Sequence, residues 1–140
     1  MTPIDDEIDE AAMAEADAAL KALAEEYPSY AAVDVAQMEA MHAALANRGG
    51  ADSELIAELH GVAHNIKGQG AAFGYDLMTV LGGALCALTR DRPTLDSTAL
   101  ARIGVLVDAC RAVIEQRLVG GGGAEGAEIS AALGLARSAA

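Results

Sequence analysis

Apolar residues recur at spacings of three and four along most of the chain, which is the period of an amphipathic helix. The pattern predicts five helices with turn-forming residues at each break. We expect the first two at about residues 4–26 and 28–47, because Pro28 stands at the break and proline suits the first turn of a helix. The third runs from about 53 to 73, the fourth from 76 to about 90, and the fifth from 94 or 97 to 119.

Four consecutive glycines at residues 120–123 follow the fifth helix and predict a flexible linker, since such a run cannot hold a helix. Residues 124–140 then form either a short docking helix or a frayed tail. Connections between the second and fifth helices are short, which favours antiparallel neighbours. We therefore predict an all-α fold. We expect residues from about 28 to 119 to form an up-and-down antiparallel four-helix bundle. An additional N-terminal helix completes the predicted domain, residues 1–119.

The composition agrees with helices packed on helices. Hydrophobic residues make up 53% of the 140 residues, but aromatic residues only 3%, and there is no tryptophan. β-Branched and aromatic residues are those enriched in strands, so a sheet is disfavoured.

Charge and apolar run lengths exclude several classes of function. The formal net charge is -12, and nine of the 21 acidic residues fall in the first 26 positions, so nucleic-acid binding is disfavoured. The acidic N-terminal segment is expected to be a solvated helix face. No apolar run approaches the roughly 20 residues of a membrane span, and a secretory signal is missing, which predicts a cytoplasmic protein. Cys86 and Cys110 are expected to be core thiols, with a disulfide as the lesser alternative.

One face of the third predicted helix carries unusually small side chains. A helical wheel places His64 away from the apolar stripe, among four small residues: Ala57, Gly61, Gly68 and Ala71. Each glycine inside a helix costs about 1 kcal/mol relative to alanine. Two explanations stay open: another molecule approaches this face closely, or a neighbouring helix of the same chain packs against it.

Lys67 lies three residues after His64 and so neighbours it on the helix surface. A neutral imidazole is a nucleophile near pH 7, and an ammonium group beside it stabilises negative charge that arrives at the ring. The pair suits a histidine that accepts an anionic group such as a phosphoryl group.

These residues resemble the motif of histidine-containing phosphotransfer (HPt) domains, in which H-x-apolar-K-G is followed by small residues and an apolar-Gly pair. The matching positions are His64, Ile66, Lys67, Gly68, Phe73 and Gly74. The resemblance implies that His64 is the phosphoacceptor, that Lys67 offsets the phosphoryl charge and that Gly68 leaves room for the partner. Ala57, His60, Gly61 and Ala71 would complete the partner-docking face.

In that family the phosphoryl group comes from an aspartyl phosphate on the receiver domain of a hybrid histidine kinase and passes to the receiver aspartate of a response regulator. The resemblance therefore implies a monomeric phosphocarrier with no ATP site, no cofactor and no metal of its own. Mg²⁺ would be supplied by the receiver domain.

Two positions differ from the family pattern. Gln69 stands where Ser, Ala or Gly is common and is expected to reach a neighbouring helix. Cys86 stands where many members carry a Gln or Glu that orients the phosphoacceptor ring, and a thiol is a poor acceptor. We expect His64 either to be held by another group, such as Thr89 or water, or to have a freer ring.

Three other functions compete with phosphotransfer for the residues around His64. His60 and His64 could chelate a metal with His42 as a third ligand, but no acidic or thiol ligand has suitable spacing. The glycines at 68, 70 and 74 do not match a phosphate-binding loop, and no strand precedes them. The remaining alternative is a non-catalytic helical adaptor that binds signalling partners through the same Gly/Ala face.

Overall fold

The structure is a computed structural model that describes the backbone of residues 3–135 and the side chains of residues 9–135. Five α-helices make up most of it, and these residues contain no strand. Their bounds are α1 Pro3–Asn47, α2 Ser53–Gly70, α3 Asp76–Thr89, α4 Ser97–Glu115 and α5 Gly123–Leu133. The prediction of an all-helical fold is confirmed for the described chain.

Helices α1 to α4 pack in sequence order around one core: α2 contacts α1 and α3, α3 contacts α4, and α4 returns to α1. Short α5 packs on α4. Buried residues follow the three-and-four spacing on each helix, because only one stripe of a helix can face the core. The most fully buried include Met38, Leu45, Ile56, Leu59, Ile66, Met78, Leu81, Leu85, Ile103 and Leu106.

The helix ends meet in two groups. At one end, the loop after α1 and the loop before α4 are joined where the Leu95 N–H donates to the Gly50 carbonyl at 3.0 Å. At the other end, the Gly120 N–H donates to the Gly74 carbonyl at 2.5 Å. The turn that follows α2 is therefore tied to the segment that follows α4.

The predicted break at Pro28 is wrong. One helix of 45 residues runs through it, so the N-terminal helix and the second predicted helix are the same element. Proline inside a helix removes one hydrogen bond and costs about 3 kcal/mol, a penalty that packing must offset. Tyr27, Pro28 and Ala31 are all buried, so the core holds the helix on both sides of the proline.

The N-terminal part of α1 extends past the other helices. From Asp9 to Glu26 every residue is exposed except Ala24, which is half-buried. The Arg117 guanidinium donates to the Glu25 carbonyl at 3.4 Å and marks the level at which α1 enters the core. The prediction of a solvated acidic face is confirmed for the described side chains.

An aromatic cluster lies where α1 enters the core. The rings of Tyr27 and Phe73 stack with centroids 5.3 Å apart, and those of Tyr27 and Tyr75 are 4.9 Å apart. Tyr30, one turn further along α1, is exposed. The Tyr27 hydroxyl is buried and has no hydrogen-bond partner among the described residues.

The glycine run is not a free linker. Besides the bond from Gly120 to Gly74, the Leu77 N–H donates to the Gly120 carbonyl at 3.1 Å. Gly120, Gly122 and Gly123 adopt positive φ angles, which glycine reaches without strain. Of the two alternatives for the residues that follow, the short helix is the one observed: α5 buries Leu133, whose carbonyl accepts from Arg102. Residues 136–140 lie outside the described residues.

Candidate functional site

Helix α2 carries the face predicted around His64. Its N-terminus is fixed by Asp52, whose side chain accepts from the Leu55 N–H at 3.0 Å. Its C-terminal end continues into a short 3-10 turn and closes at Gly74, which has the left-handed φ of 85° expected for a terminal glycine. Both ends agree with the predicted bounds of about residues 53–73. The direction in which each side chain leaves the helix can therefore be read from the helical wheel.

The predicted site residues lie together on that face. His64, Lys67 and Gly68 are exposed, and so are Ala57, Gly61 and Ala71, whereas His60 is half-buried. The outward orientation of His64 that the wheel predicts is therefore observed.

The two glycines on the face are not required by packing inside the chain. A Cβ atom placed on Gly61 or on Gly68 would have no heavy atom of a neighbouring element within 4 Å. The alternative that a helix of the same chain packs against them is wrong for the described residues. The space in front of both glycines is open.

Tight packing occurs instead on the side of α2 that faces α3, at Gly82 and Thr79, which the sequence analysis did not single out. A Cβ on Gly82 of α3 would lie 2.7 Å from the Lys67 nitrogen and 3.0 Å from the Ala63 carbonyl oxygen. Thr79 donates to the Lys67 carbonyl at 2.9 Å and accepts from the Ala71 N–H at 2.8 Å. The α2 backbone on both sides of His64 is therefore held by α3. In the sequence, only the Gly82–Gly83 pair inside a helix indicated this close contact.

The Lys67 side chain extends toward α3. Its Cδ and Cε atoms would lie 4.0 Å from a Cβ on Gly83, which is an ordinary van der Waals contact, so the lysine side chain passes next to the second glycine of the pair. Lys67 forms no ion pair with any described residue. Its ammonium group is available to an incoming anion.

Thr89 contacts His60 and not His64. The Thr89 hydroxyl donates to the Leu85 carbonyl at 2.9 Å, and the same oxygen lies 2.9 Å from His60 Nδ1. Because the hydroxyl proton is already used, we assign the Nδ1 proton to His60, which leaves Nε2 as the free nitrogen. The His60 and His64 rings meet edge to face with centroids 6.5 Å apart. The suggestion that Thr89 holds His64 is wrong.

Cys86 does not replace the orienting Gln or Glu. The residue is buried, and burial raises the pKa of its thiol above the ordinary value, an effect that the nearby charges of Lys67 and Arg90 partly offset. The thiol is therefore neutral near pH 7 and is a weak hydrogen-bond partner. No described residue forms a hydrogen bond to the His64 ring, so among these residues only the edge-to-face contact with His60 restrains its rotation.

Gln69 reaches α1 only indirectly. Its amide donates to the Asn65 side chain at 3.2 Å, and Asn65 donates to Asp34 of α1 at 3.2 Å. Gln69 itself stays exposed beside the face that carries His64.

His42 is a packing residue. Its Nε2 lies 2.8 Å from the Leu100 carbonyl, and its ring occupies the space that a Cβ on Gly104 would need. It lies half-buried between α1 and α4. Residues 9–135, whose side chains the structure describes, contain no group of three or more His, Cys, Asp or Glu side chains that could bind a metal ion. Cys86 and Cys110 are both free thiols.

Comparison with known proteins finds no match: not to a family model, not to a curated protein and not to a solved structure. None of the helices within residues 3–135 combines the length and the hydropathy needed to span a bilayer. The resemblance to HPt domains thus depends on the residues around His64 and on the helical arrangement that presents them.

Proposed function

We propose that this chain is a phosphorelay intermediate of the HPt type, with His64 as its phosphoacceptor. The observation that carries the proposal is an exposed histidine on a helix whose neighbouring glycines, Gly61 and Gly68, face open space. Glycine at such positions costs stability and gains nothing inside the chain. A closely docked partner accounts for that cost.

We infer further that α2, α3, α4 and the C-terminal part of α1 form an up-and-down antiparallel four-helix bundle. Two observations support this arrangement: each helix contacts the next, with α4 returning to α1, and alternate connections meet at opposite ends of the fold. The exposed N-terminal part of α1 would take the place of a separate N-terminal helix.

The proposed reaction moves a phosphoryl group between two receiver domains. An unprotonated ring nitrogen of His64 attacks the phosphorus of an aspartyl phosphate, the N–P bond forms, and the P–O bond to the aspartate breaks and returns a carboxylate. The second receiver reverses these steps and regenerates the imidazole. In-line transfer requires mainly positioning and charge neutralisation, so a rigid helix and a nearby cation suffice on this side.

Lys67 is the cation in this scheme. A phosphoryl group brings a charge of roughly -1.5 to -2 to the site, and Lys67, which forms no ion pair with any described residue, follows His64 by three positions on α2. The Mg²⁺ and the acidic pocket would come from the receiver. We place the reaction in the cytoplasm and the carrier in a monomeric state.

The proposal is tested by mixing the protein with phosphorylated receiver domains and Mg²⁺. We expect an acid-labile, base-stable phosphoprotein, because a phosphoramidate bond has this stability. His64→Ala should abolish the label, and His42→Gln is the matched control because it changes a histidine outside the proposed face.

A helical adaptor is the second candidate, and one observation favours it: no described residue forms a hydrogen bond that orients the His64 ring. An adaptor would bind receiver domains through the same face without taking up a phosphoryl group. Binding of a receiver to wild-type protein, with no label from any phosphorylated receiver, would establish the adaptor and rule out the carrier.

A further inference from the structure

A surface recess lies one helical turn before His64 on α2. It has a volume of about 480 Å³, opens at the surface and lies between the first turns of α2 and the loop from Arg90 to Pro93. His60 and Thr89 line its inner side, and the side chains of Arg90 and Arg92 line its rim. His60 thus belongs both to this recess, which we call the arginine pocket, and to the face around His64.

Most of the basic residues in the described chain form no ion pair, and the two arginines of the pocket are among them. Arg48 is paired with Asp52, and Arg111 with Glu39 in a two-pronged contact at 2.7 Å. Arg90 and Arg92, by contrast, form no ion pair with any described residue, although acidic residues outnumber basic ones by 21 to nine. Two exposed cations without partners beside a docking face are placed to meet an anion.

The loop that carries them is held at both ends. The Arg90 N–H donates to the Cys86 carbonyl at 2.9 Å, and Leu95 bonds to Gly50 of the adjacent loop. Asp91 has a left-handed φ of 52°, which is uncommon for a residue with a side chain. Its carboxylate also lines the pocket, but it forms no ion pair with either arginine. The pocket therefore keeps an excess of positive charge.

We propose that the arginine pocket receives an acidic side chain of the receiver domain that docks at His64, one that lies outside the receiver's own active site. This inference rests on the proposed function. Four residues of helix separate His60 from His64, a rise of about 6 Å, so a partner seated on His64 also covers the pocket. Arg90 and Arg92 then favour partners whose acidic group lies at that spacing.

A protein carboxylate fits better than a polyanion. The net charge of -12 repels nucleic acid at long range, whereas one or two carboxylates on a docked surface need only the local charge of the pocket. Charged residues at the rim of an interface act mainly on the association rate and on partner choice, and their effect weakens with salt.

The test uses the full chain and the receiver domains of the source organism, each phosphorylated with acetyl phosphate. Arg92→Glu and the double variant Arg90→Glu/Arg92→Glu are compared with wild type, and Lys21→Glu is the matched control. Lys21 is exposed, forms no ion pair with any described residue and lies on the extended part of α1. Phosphoramidate serves as a small donor that reaches His64 without a protein partner.

We expect Arg92→Glu to slow transfer from the receiver by roughly tenfold at low salt, the double variant to slow it further, and the difference to shrink in 0.5 M NaCl. Labelling by phosphoramidate should not change, and Lys21→Glu should behave as wild type. If Arg92→Glu and Lys21→Glu transfer equally fast, the pocket has no such role. If no receiver labels even the wild type, the proposed function fails, which is a different result.

A free anion is the competing occupant. Inorganic phosphate is titrated into the wild-type protein while the NMR signals of the Arg92 side chain and the His60 ring are followed. Saturation below about 1 mM would assign the pocket to a small anion and overturn the proposal. Shifts that do not saturate in that range, together with the slowed transfer of Arg92→Glu, would support it.

Discussion

Alanine at Gly61 or Gly68 should make the protein more stable, whereas alanine at Gly82 should make it less stable. The first two positions have open space where the methyl group would go. Each should therefore gain the helix propensity difference of up to about 1 kcal/mol, and the pair up to about 2 kcal/mol, because they do not contact each other.

Gly82 lies in the same kind of helical sequence but faces α2. A methyl group there would lie 2.7 Å from the Lys67 nitrogen and 2.9 Å from its Cα, and both are backbone atoms that cannot turn aside. Overpacking costs about 1 to 3 kcal/mol, and the propensity gain offsets only part of it. We expect a net loss of up to about 2 kcal/mol.

Urea unfolding followed by circular dichroism at 222 nm measures all three variants. The midpoint should rise for Gly61→Ala and Gly68→Ala and fall for Gly82→Ala. The m value should not change, since the surface that unfolding exposes stays the same. A loss of stability in Gly61→Ala or Gly68→Ala comparable to that of Gly82→Ala would refute the reasoning, because it would mean that the space before those glycines is filled.

Gly68→Gln should keep the fold and slow phosphotransfer sharply; normal transfer would exclude the docking role.

Three further predictions concern the core. Tyr27→Phe removes a buried hydroxyl that lacks a partner, so thermal unfolding should show a gain of up to about 1 kcal/mol. Burial raises the pKa of Cys110 from 9.0 to about 12, so the folded protein favours the neutral thiol. The contribution of this thiol to the free energy of unfolding is complete below pH 9 and is lost as the pH rises toward 12. Urea titrations from pH 8 to 11 should show this loss, and Cys110→Ala should flatten it. Gly104→Ala places a Cβ 2.8 Å from the His42 ring, so it should cost about 1 kcal/mol by breaking the bond to Leu100, and less in a His42→Ala background.

Features set by local chemistry could be predicted from the sequence. Asp52 as a helix cap, Gly74 as a left-handed terminus and the outward position of His64 all depend on residues within a few positions of each other. Helical periodicity then determines which face is buried. For the same reason the proposed site residues were found together on one surface.

Features set by distant contacts could not be predicted. The continuation of α1 through Pro28 depends on packing that local propensity does not contain. The bonds of Gly120 to Gly74 and Leu77 join segments more than 40 residues apart, and glycine composition alone indicates only flexibility. Likewise, the pairing of Thr89 with His60 depends on how α3 is rotated against α2.

The aromatic cluster gives the protein a local optical reporter. With no tryptophan, the absorbance near 280 nm comes from three tyrosines, and all three lie around the level at which α1 enters the core. The buried Tyr27 ring contacts both Tyr75 and Phe73, which lies in the turn that ends the His64 helix, while Tyr30 faces solvent nearby. Near-ultraviolet dichroism and tyrosine emission therefore sample one end of the molecule and not its average. A change in either signal on mixing with a partner that contains neither tyrosine nor tryptophan would locate the event at that end.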